Sequence, residues 1–173
     1  MSTTDIVYLP EEPAHDPAIE EINAEAFGPG RYTRAAYRIR EGGPHDATLS
    51  FVAVIGGEVV GSVRMTPVAA GQGRALLLGP LAVRPAHKNV GIGRKLVRIA
   101  IDAAGQASHP AVLLVGDAPY YGPLGFSRMP PGQIVMPGPV DPHRMLGLEL
   151  TAGSLALLGG PLVHQSLVRC RTG

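Results

Sequence analysis

The segment Gly79 to Leu96 reads GPLAVRPAHKNVGIGRKL, and its residue types suit the binding of a small anion. An apolar run ends at Val83, a seven-residue loop follows, and Gly91-Ile92-Gly93 opens a stretch of helical period. Glycines at a helix start let the backbone come close to a ligand. The free N–H groups of the first turn and the positive end of the helix dipole then favour negative charge, phosphate above all. Lys88, Arg94 and Lys95 add positive charge nearby. A Walker loop would need Gly, four residues, then Gly-Lys-Ser/Thr, and no such string occurs. A dinucleotide fingerprint would need GxGxxG directly after a strand; here Leu96 stands where the third glycine belongs. Asp117, after the next strand, could imitate the ribose-binding acid of that fold, whereas the long loop before Gly91 argues against it. The glycines alone also fit a tight turn that starts a helix with a solvated basic face.

The string Lys88-Asn-Val-Gly91-Ile-Gly93 resembles the pyrophosphate-binding loop of the GNAT superfamily of acetyl-CoA-dependent N-acetyltransferases, with Lys88 where Gln or Arg is usual. The preceding Leu81-Ala82-Val83-Arg84-Pro85 looks like the strand end that leads into that loop. A second string, Tyr120-Tyr121-Gly122-Pro123-Leu124-Gly125-Phe126, is similar to the superfamily's aromatic-Tyr, three residues, Gly-Phe signature. LLLGPLAVRP, VLLVGDAPYYGPLGF, MPGPVDPHRMLGLEL and Gly153-Ser-Leu look like the YhbS-like branch, so the resemblance covers most of residues 49–165. It implies an α/β (α+β) GNAT fold: a mixed central sheet of six to seven strands flanked by helices, with a splayed parallel strand pair. Pantetheine would pair with the strand holding Leu81, Ala82 and Val83, rather like an added strand. Backbone N–H groups from about Val90 to Lys95 would hold the pyrophosphate, in a loop of Lys88, Asn89, Val90, Gly91, Ile92, Gly93, Arg94 and Lys95.

The implied reaction is direct attack of a primary amine on the thioester of acetyl-CoA in a ternary complex. It needs a base for the amine, donors for the oxyanion and a proton for the leaving thiolate. The resemblance assigns the oxyanion donor to the backbone N–H near Val83 and the general acid to Tyr121, a phenol that starts protonated; Tyr121 also fits as an aromatic packed beside Phe126, and Tyr120 reads as packing. The base is open. The strand Arg74 to Val83 holds no acid. Asp117 is a candidate that also reads as a helix cap; Glu25, Glu149 and a water path are others. Arg64, between Val63 and Met65, reads as surface.

These residues must be positioned by ordinary elements. Ile6 to Leu9 reads as a strand. Pro17 to Phe27 reads as a helix capped by Asp16, and Arg34 to Glu41 as a second helix capped by Thr33. Leu49 to Ile55, Glu58 to Val68 and Arg74 to Val83 form an antiparallel meander turned by Gly56-Gly57 and Gly71-Gln72-Gly73. Ile92, Leu96, Ile99, Ala100, Ala103 and Ala107 share a helix face. Ala111 to Val115 is a buried strand, and strand–helix–strand makes it parallel to Arg74–Val83. Pro119 to Leu124 reads as a short helix. Further strands fall at Met145 to Leu150 and Leu162 to Val168.

The chain has 173 residues, 45% of them hydrophobic and 17% charged, with 23 glycines and 17 prolines. That is the profile of one loop-rich globular domain over residues 1–173. A lone Cys170 excludes an internal disulfide, and six scattered histidines give no metal site. No apolar run is long enough to span a membrane and the first residues lack a secretory pattern, so a cytoplasmic protein is expected. Net charge is +1, and aromatics are sparse, which argues against nucleic acid and membrane partners. Residues 84–98 nevertheless hold five bases and no acid, while residues 1–25 hold seven acids and no Lys or Arg. A small metabolite amine or a peptide amine is the expected acceptor, and the C-terminal third could form a homodimer contact. Two other readings stay open: a non-catalytic acyl-CoA-binding domain, and a nucleotide-binding enzyme using the same cradle.

Overall fold

A two-residue reversal organises the middle of the chain. Gly56 and Gly57 hold φ of +56° and +82°, a left-handed backbone that glycine adopts without a Cβ clash. They turn β2 (Phe51–Ile55) back along β3 (Glu58–Gly71). In the computed structural model, which describes residues 5–168, β3 then pairs antiparallel with β4 (Gly73–Val83), completing the expected meander. β1 (Ile6–Pro10) adds antiparallel to β2.

The switch to helical period after Gly91 becomes α3 (Ile92–Gln106), which buries Ile92, Leu96, Val97, Ala100 and Ala104. This face packs on Val60, Val63, Leu76, Leu78 and Val112 of the sheet. Each fully buried leucine there contributes about 1.5–3 kcal/mol relative to exposure. α3 carries the chain to β5 (Ala111–Val115), parallel to β4 as a crossover requires. The parallel ladder joins only Leu76 to Val112 and Leu77 to Leu113. Beyond it the strands part, and β4 bulges: Gly79 and Pro80, joined by a cis peptide, together oppose the single Arg64 of β3.

The other face of the sheet carries two helices. α1 (Asp16–Phe27) packs Ile19 and Ile22 on Val52, Val59 and Ala82. α2 (Ala35–Arg40) packs Ile39 in a cluster with Leu77, Leu113 and Leu162. After β5 come α4 (Ala118–Tyr121), β6 (Ser127–Arg128), β7 (Ile134–Val135), β8 (Met145–Glu149) and β9 (Leu158–His164). β8 pairs antiparallel with β5 and with β6, β9 pairs antiparallel with the end of β3, and β7 runs parallel to β9. The result is a mixed α/β architecture, an open sheet of parallel and antiparallel strands between helices.

Nine strands occur among the described residues rather than six or seven. The additions include β6 and β7, two residues each and too short to show a period. α1 begins at Asp16 itself, with His15 at the cap and Pro17 in the first turn; the Asp16 carboxylate lies instead 3.1 Å from Arg64. α2 starts at Ala35 with Arg34 at its cap, while the Thr33 side chain and Cys170 lie outside what is described. The last strand is Leu158–His164 rather than Leu162–Val168, because Gly159-Gly160-Pro161 continue it where their types suggest a turn.

Candidate active site

Gly91, at φ +89°, is the N-cap of α3, and no side chain caps that helix. Asn89 before it is also left-handed, at φ +65°. The Lys95 N–H donates to the Gly91 carbonyl at 3.1 Å, closing the first turn. Among the described residues, the N–H groups of Asn89 through Arg94 have no acceptor within the protein. A run of consecutive amides at a helix start is an anion cradle. It begins one residue earlier than Val90 and ends before Lys95, whose amide is engaged. The Ile92 side chain is buried in the α3 core, so this residue offers backbone only. The side chains of Lys88, Val90, Arg94 and Lys95 are exposed around the cradle.

The neighbouring edge of β4 is the second component. Arg84 donates its N–H to Val60 of β3 at 2.8 Å. Successive residues of a strand point their N–H groups to opposite sides. Ala82 therefore faces β3 with its backbone, and its side chain packs toward α1. The N–H groups of Leu81 and Val83 face the gap left by β5. The side chains of both lie near Gly93.

The gap opens into a cavity of about 1000 Å³. Its walls come from α1 (Glu20, Asn23, Phe27), the α2 region (Arg34, Tyr37, Arg40), the β4 bulge, and Asp117, Tyr120 and Tyr121. Tyr121 stacks edge-on against Tyr120, with centroids 4.8 Å apart, and against Phe126, at 5.8 Å. A Cβ on Gly116 would meet the Tyr121 ring at 2.5 Å, so the close approach of the ring to the end of β5 depends on glycine there. Burial pushes the Tyr121 phenol up to about 12; Tyr120 and Asp117 add to that shift and Arg144 opposes it. Tyr121 therefore stays a proton donor through the neutral range. Tyr120 does more than pack: its hydroxyl reaches Gly93 at the start of α3, and the Arg94 guanidinium lies 5.3 Å above its ring. Burial raises its phenol and Arg94 pulls it back.

Asp117 occupies the N-cap position of α4, yet its side chain caps nothing; its carbonyl receives the N–H groups of Tyr120 and Tyr121 at 3.1 Å each. Its carboxylate is largely exposed, 3.8 Å from Arg144. Glu25 is held by Arg84 at 2.8 Å, with Glu21 at 3.2 Å; Arg84, the first of the basic cluster, thus serves α1 rather than the cradle. Glu149 accepts from the amides of Gly153 and Leu155.

A group that the sequence did not reveal lines the cavity. Arg64 is not at the surface: its side chain is only 15% exposed and donates from Nε and Nη2 to Glu11 Oε1, at 3.0 and 2.6 Å. His45 Nε2 lies 2.9 Å from Glu11 Oε2. Burial works against charge on Glu11, but His45 and Arg64 outweigh it and hold the carboxyl below its ordinary value. His45 and Arg64 both line the cavity. Among the described residues no cluster of His, Cys, Asp and Glu could hold a metal, and no helix is long and apolar enough to cross a membrane.

Residues 17–123 match the acetyltransferase (GNAT) family. The chain is 31% identical over 120 residues to the uncharacterized N-acetyltransferase YhbS of Escherichia coli K12, covering 67% of this chain and 70% of the relative. The crystal structure of E. coli YhbS in complex with CoA superposes with a TM-score of 0.77, at 24% identity, over 93% of this chain and 90% of that one. A GNAT acetyltransferase from Brucella melitensis in complex with acetyl-CoA gives 0.60, at 26% identity, over 82% and 94%. A run of free amides beside a splayed strand pair, opening on a tyrosine-walled cavity, thus belongs to a chain whose relatives share sequence as well as fold: this protein is a member of the GNAT family of acetyltransferases.

Proposed function

We propose that the protein moves an acetyl group from acetyl-CoA to a primary amine by direct attack in a ternary complex. The observation that carries this is the free amide run from Asn89 to Arg94, set against the unpaired N–H edge of Leu81 and Val83. Diphosphate oxygens fit the first and an extended pantetheine amide fits the second. The cavity beyond receives the acceptor.

The residues divide the work as follows. The amine nitrogen forms a bond to the thioester carbonyl carbon, and the carbonyl electron pair moves onto oxygen. The N–H groups facing the gap, Val83 first, stabilise that oxyanion. When the C–S bond breaks, Tyr121 gives its phenolic proton to the departing thiolate. The ammonium proton passes to His45, whose Nε2 is turned to Glu11, leaving Nδ1 as the basic nitrogen. An imidazole suits proton exchange near neutral pH better than the exposed Asp117 carboxylate.

The test pairs thermal unfolding with acetyl-CoA, CoA, NAD and ATP with an assay of thiol release over a panel of amines. Saturating ligand at about 100 times its Kd stabilises by roughly 2.7 kcal/mol, a shift of several degrees. The proposal expects a shift with acetyl-CoA and CoA, and amine-dependent thiol release. A shift without release from any amine would instead identify a non-catalytic acyl-CoA-binding domain. A shift with NAD or ATP alone would remove acetyl transfer altogether.

A further inference from the structure

We infer that the acceptor amine carries an oxyanion, a carboxylate or a phosphate, and that Arg40 binds it inside the cavity. This rests on the acetyltransferase reading of the site. Arg40 is the last residue of α2, and its guanidinium reaches the β4 bulge where β4 and β5 part. The position of Gly79 makes room for it: a Cβ there would lie 2.8 Å from Arg40 Nη2. The side chain is only partly open to solvent, and its Nε, which is buried, has no hydrogen-bond partner. Among the described residues, no acid forms an ion pair with it.

Most acids around the cavity are engaged elsewhere, and Glu41, which also lines it, makes no ion pair with Arg40. Glu11, Asp16 and Glu20 surround Arg64, Glu21 and Glu25 hold Arg84, and Asp117 faces Arg144. Arg40 is left as a largely buried cation with no ion-pair partner among the described residues. Burial, and then the Arg64 charge, push its guanidinium down to about 10, so it still carries its charge at neutral pH. A buried charge without a partner is strongly disfavoured in a protein interior. Its persistence in the wall of a substrate cavity is accounted for when the partner arrives with the substrate. A guanidinium presents a planar fork that fits carboxylate and phosphate oxygens with two parallel bonds. Gly79 stands two residues before Leu81, one of the residues whose N–H groups face the gap, so an acceptor held by Arg40 lies beside that edge.

Binding and turnover are measured separately. The CoA complex of the whole protein is titrated calorimetrically with glycine, alanine, β-alanine and O-phosphoethanolamine. Their neutral counterparts, glycinamide, alaninamide, β-alaninamide and ethanolamine, form the second panel. Thiol release from acetyl-CoA is measured with both panels. The expected result is a preference of at least about a hundredfold for one anionic class, in affinity and in kcat/KM. The amino acids and O-phosphoethanolamine distinguish carboxylate from phosphate. Arg40→Met should abolish the preference and leave acetyl-CoA affinity unchanged, while Arg40→Lys should restore part of it. Ligand-free Arg40→Met should melt at or above the wild-type temperature, since it removes an unpartnered charge; a merely structural arginine would give a lower one. Equal use of both panels, a preference that survives Arg40→Met, or no heat from any anionic amine would overturn the inference. Absence of thiol release from every amine, with acetyl-CoA still bound, would count against the acetyltransferase reading instead, and the titration of the CoA complex would still decide on Arg40.

Discussion

Tyr120 closes over the first turn of α3: its hydroxyl stands 2.8 Å from where a Cβ on Gly93 would sit. The ring is held between Arg94 on one side and Tyr121 on the other. Gly93→Ala must therefore displace the hydroxyl from the first turn of α3, beside the space proposed for CoA. The expected outcome is a rise of about tenfold in the Kd for CoA, or roughly 1.4 kcal/mol, with little change in Tm. Calorimetric titration reads it, and an unchanged Kd would remove the Gly93–Tyr120 contact from the binding site.

Tyr121→Phe keeps the ring against Gly116 and Phe126 and deletes only the proton donor. We expect kcat to fall by about 10²–10⁴, with acetyl-CoA affinity close to wild type. A drop in affinity without a drop in kcat would reassign the residue to binding.

The same phenol has a consequence at high pH. Its value rises from 10.0 to about 12 in the folded protein. Between those limits the unfolded chain has released a proton that the folded chain still holds. Stability therefore falls as pH rises through this window, by at most roughly 3 kcal/mol, and the group contributes no pH dependence well below 10. Denaturant melts between pH 9 and 11.5 should show this loss, and Tyr121→Phe should flatten it.

Glu11 acts at the opposite end of the scale. Its carboxyl is held below its reference value of 4.5, so its stabilisation is present above that pH and disappears as pH falls through the folded value. Glu11→Gln leaves Arg64 without its closest partner and should cost about 3 kcal/mol at neutral pH. It should also shrink the acid limb of the stability curve. Urea melts from pH 7 to 3 test both; an unchanged limb would show that other carboxylates govern acid unfolding.

His45→Gln tests the proposed base. The variant should lose about 10²–10⁴ in kcat/KM, while CoA affinity persists. Retention of wild-type kcat/KM would return the role to Asp117 or to water.

The cradle was legible because its signal is local: glycines, a helical period and an apolar strand stand next to one another between Ala75 and Ala104. The Gly56-Gly57 reversal and the parallel β4–β5 pair follow from similarly short patterns. The cavity wall carrying Arg64 and Arg40 was not legible, since its contacts join distant segments. Arg64 meets Glu11 across 53 residues, and the alternation of Val63, Arg64 and Met65 does not say which side of the sheet is covered by α1. Arg40 lies in a six-residue helix whose sequence, AAYRIR, gives no sign that one arginine turns inward. Tyr120 and Tyr121 could be recognised as a pair, but their division between the helix start and the strand end depends on the rings' orientation.

Two arginines of the sheet, Arg64 and Arg84, grip α1 through acids that are themselves largely open to water. Such contacts are screened by dissolved salt far more than the apolar seam of Ile19 and Ile22 beneath them. This cavity wall is thus fastened by an electrostatic hinge above a hydrophobic axle. Raising ionic strength should loosen that wall while α3, anchored by its buried leucine and alanine face, stays fixed. Under the proposed function, recognition of the acceptor is expected to be the salt-sensitive half of the reaction, and the seat proposed for the acyl donor its rigid half.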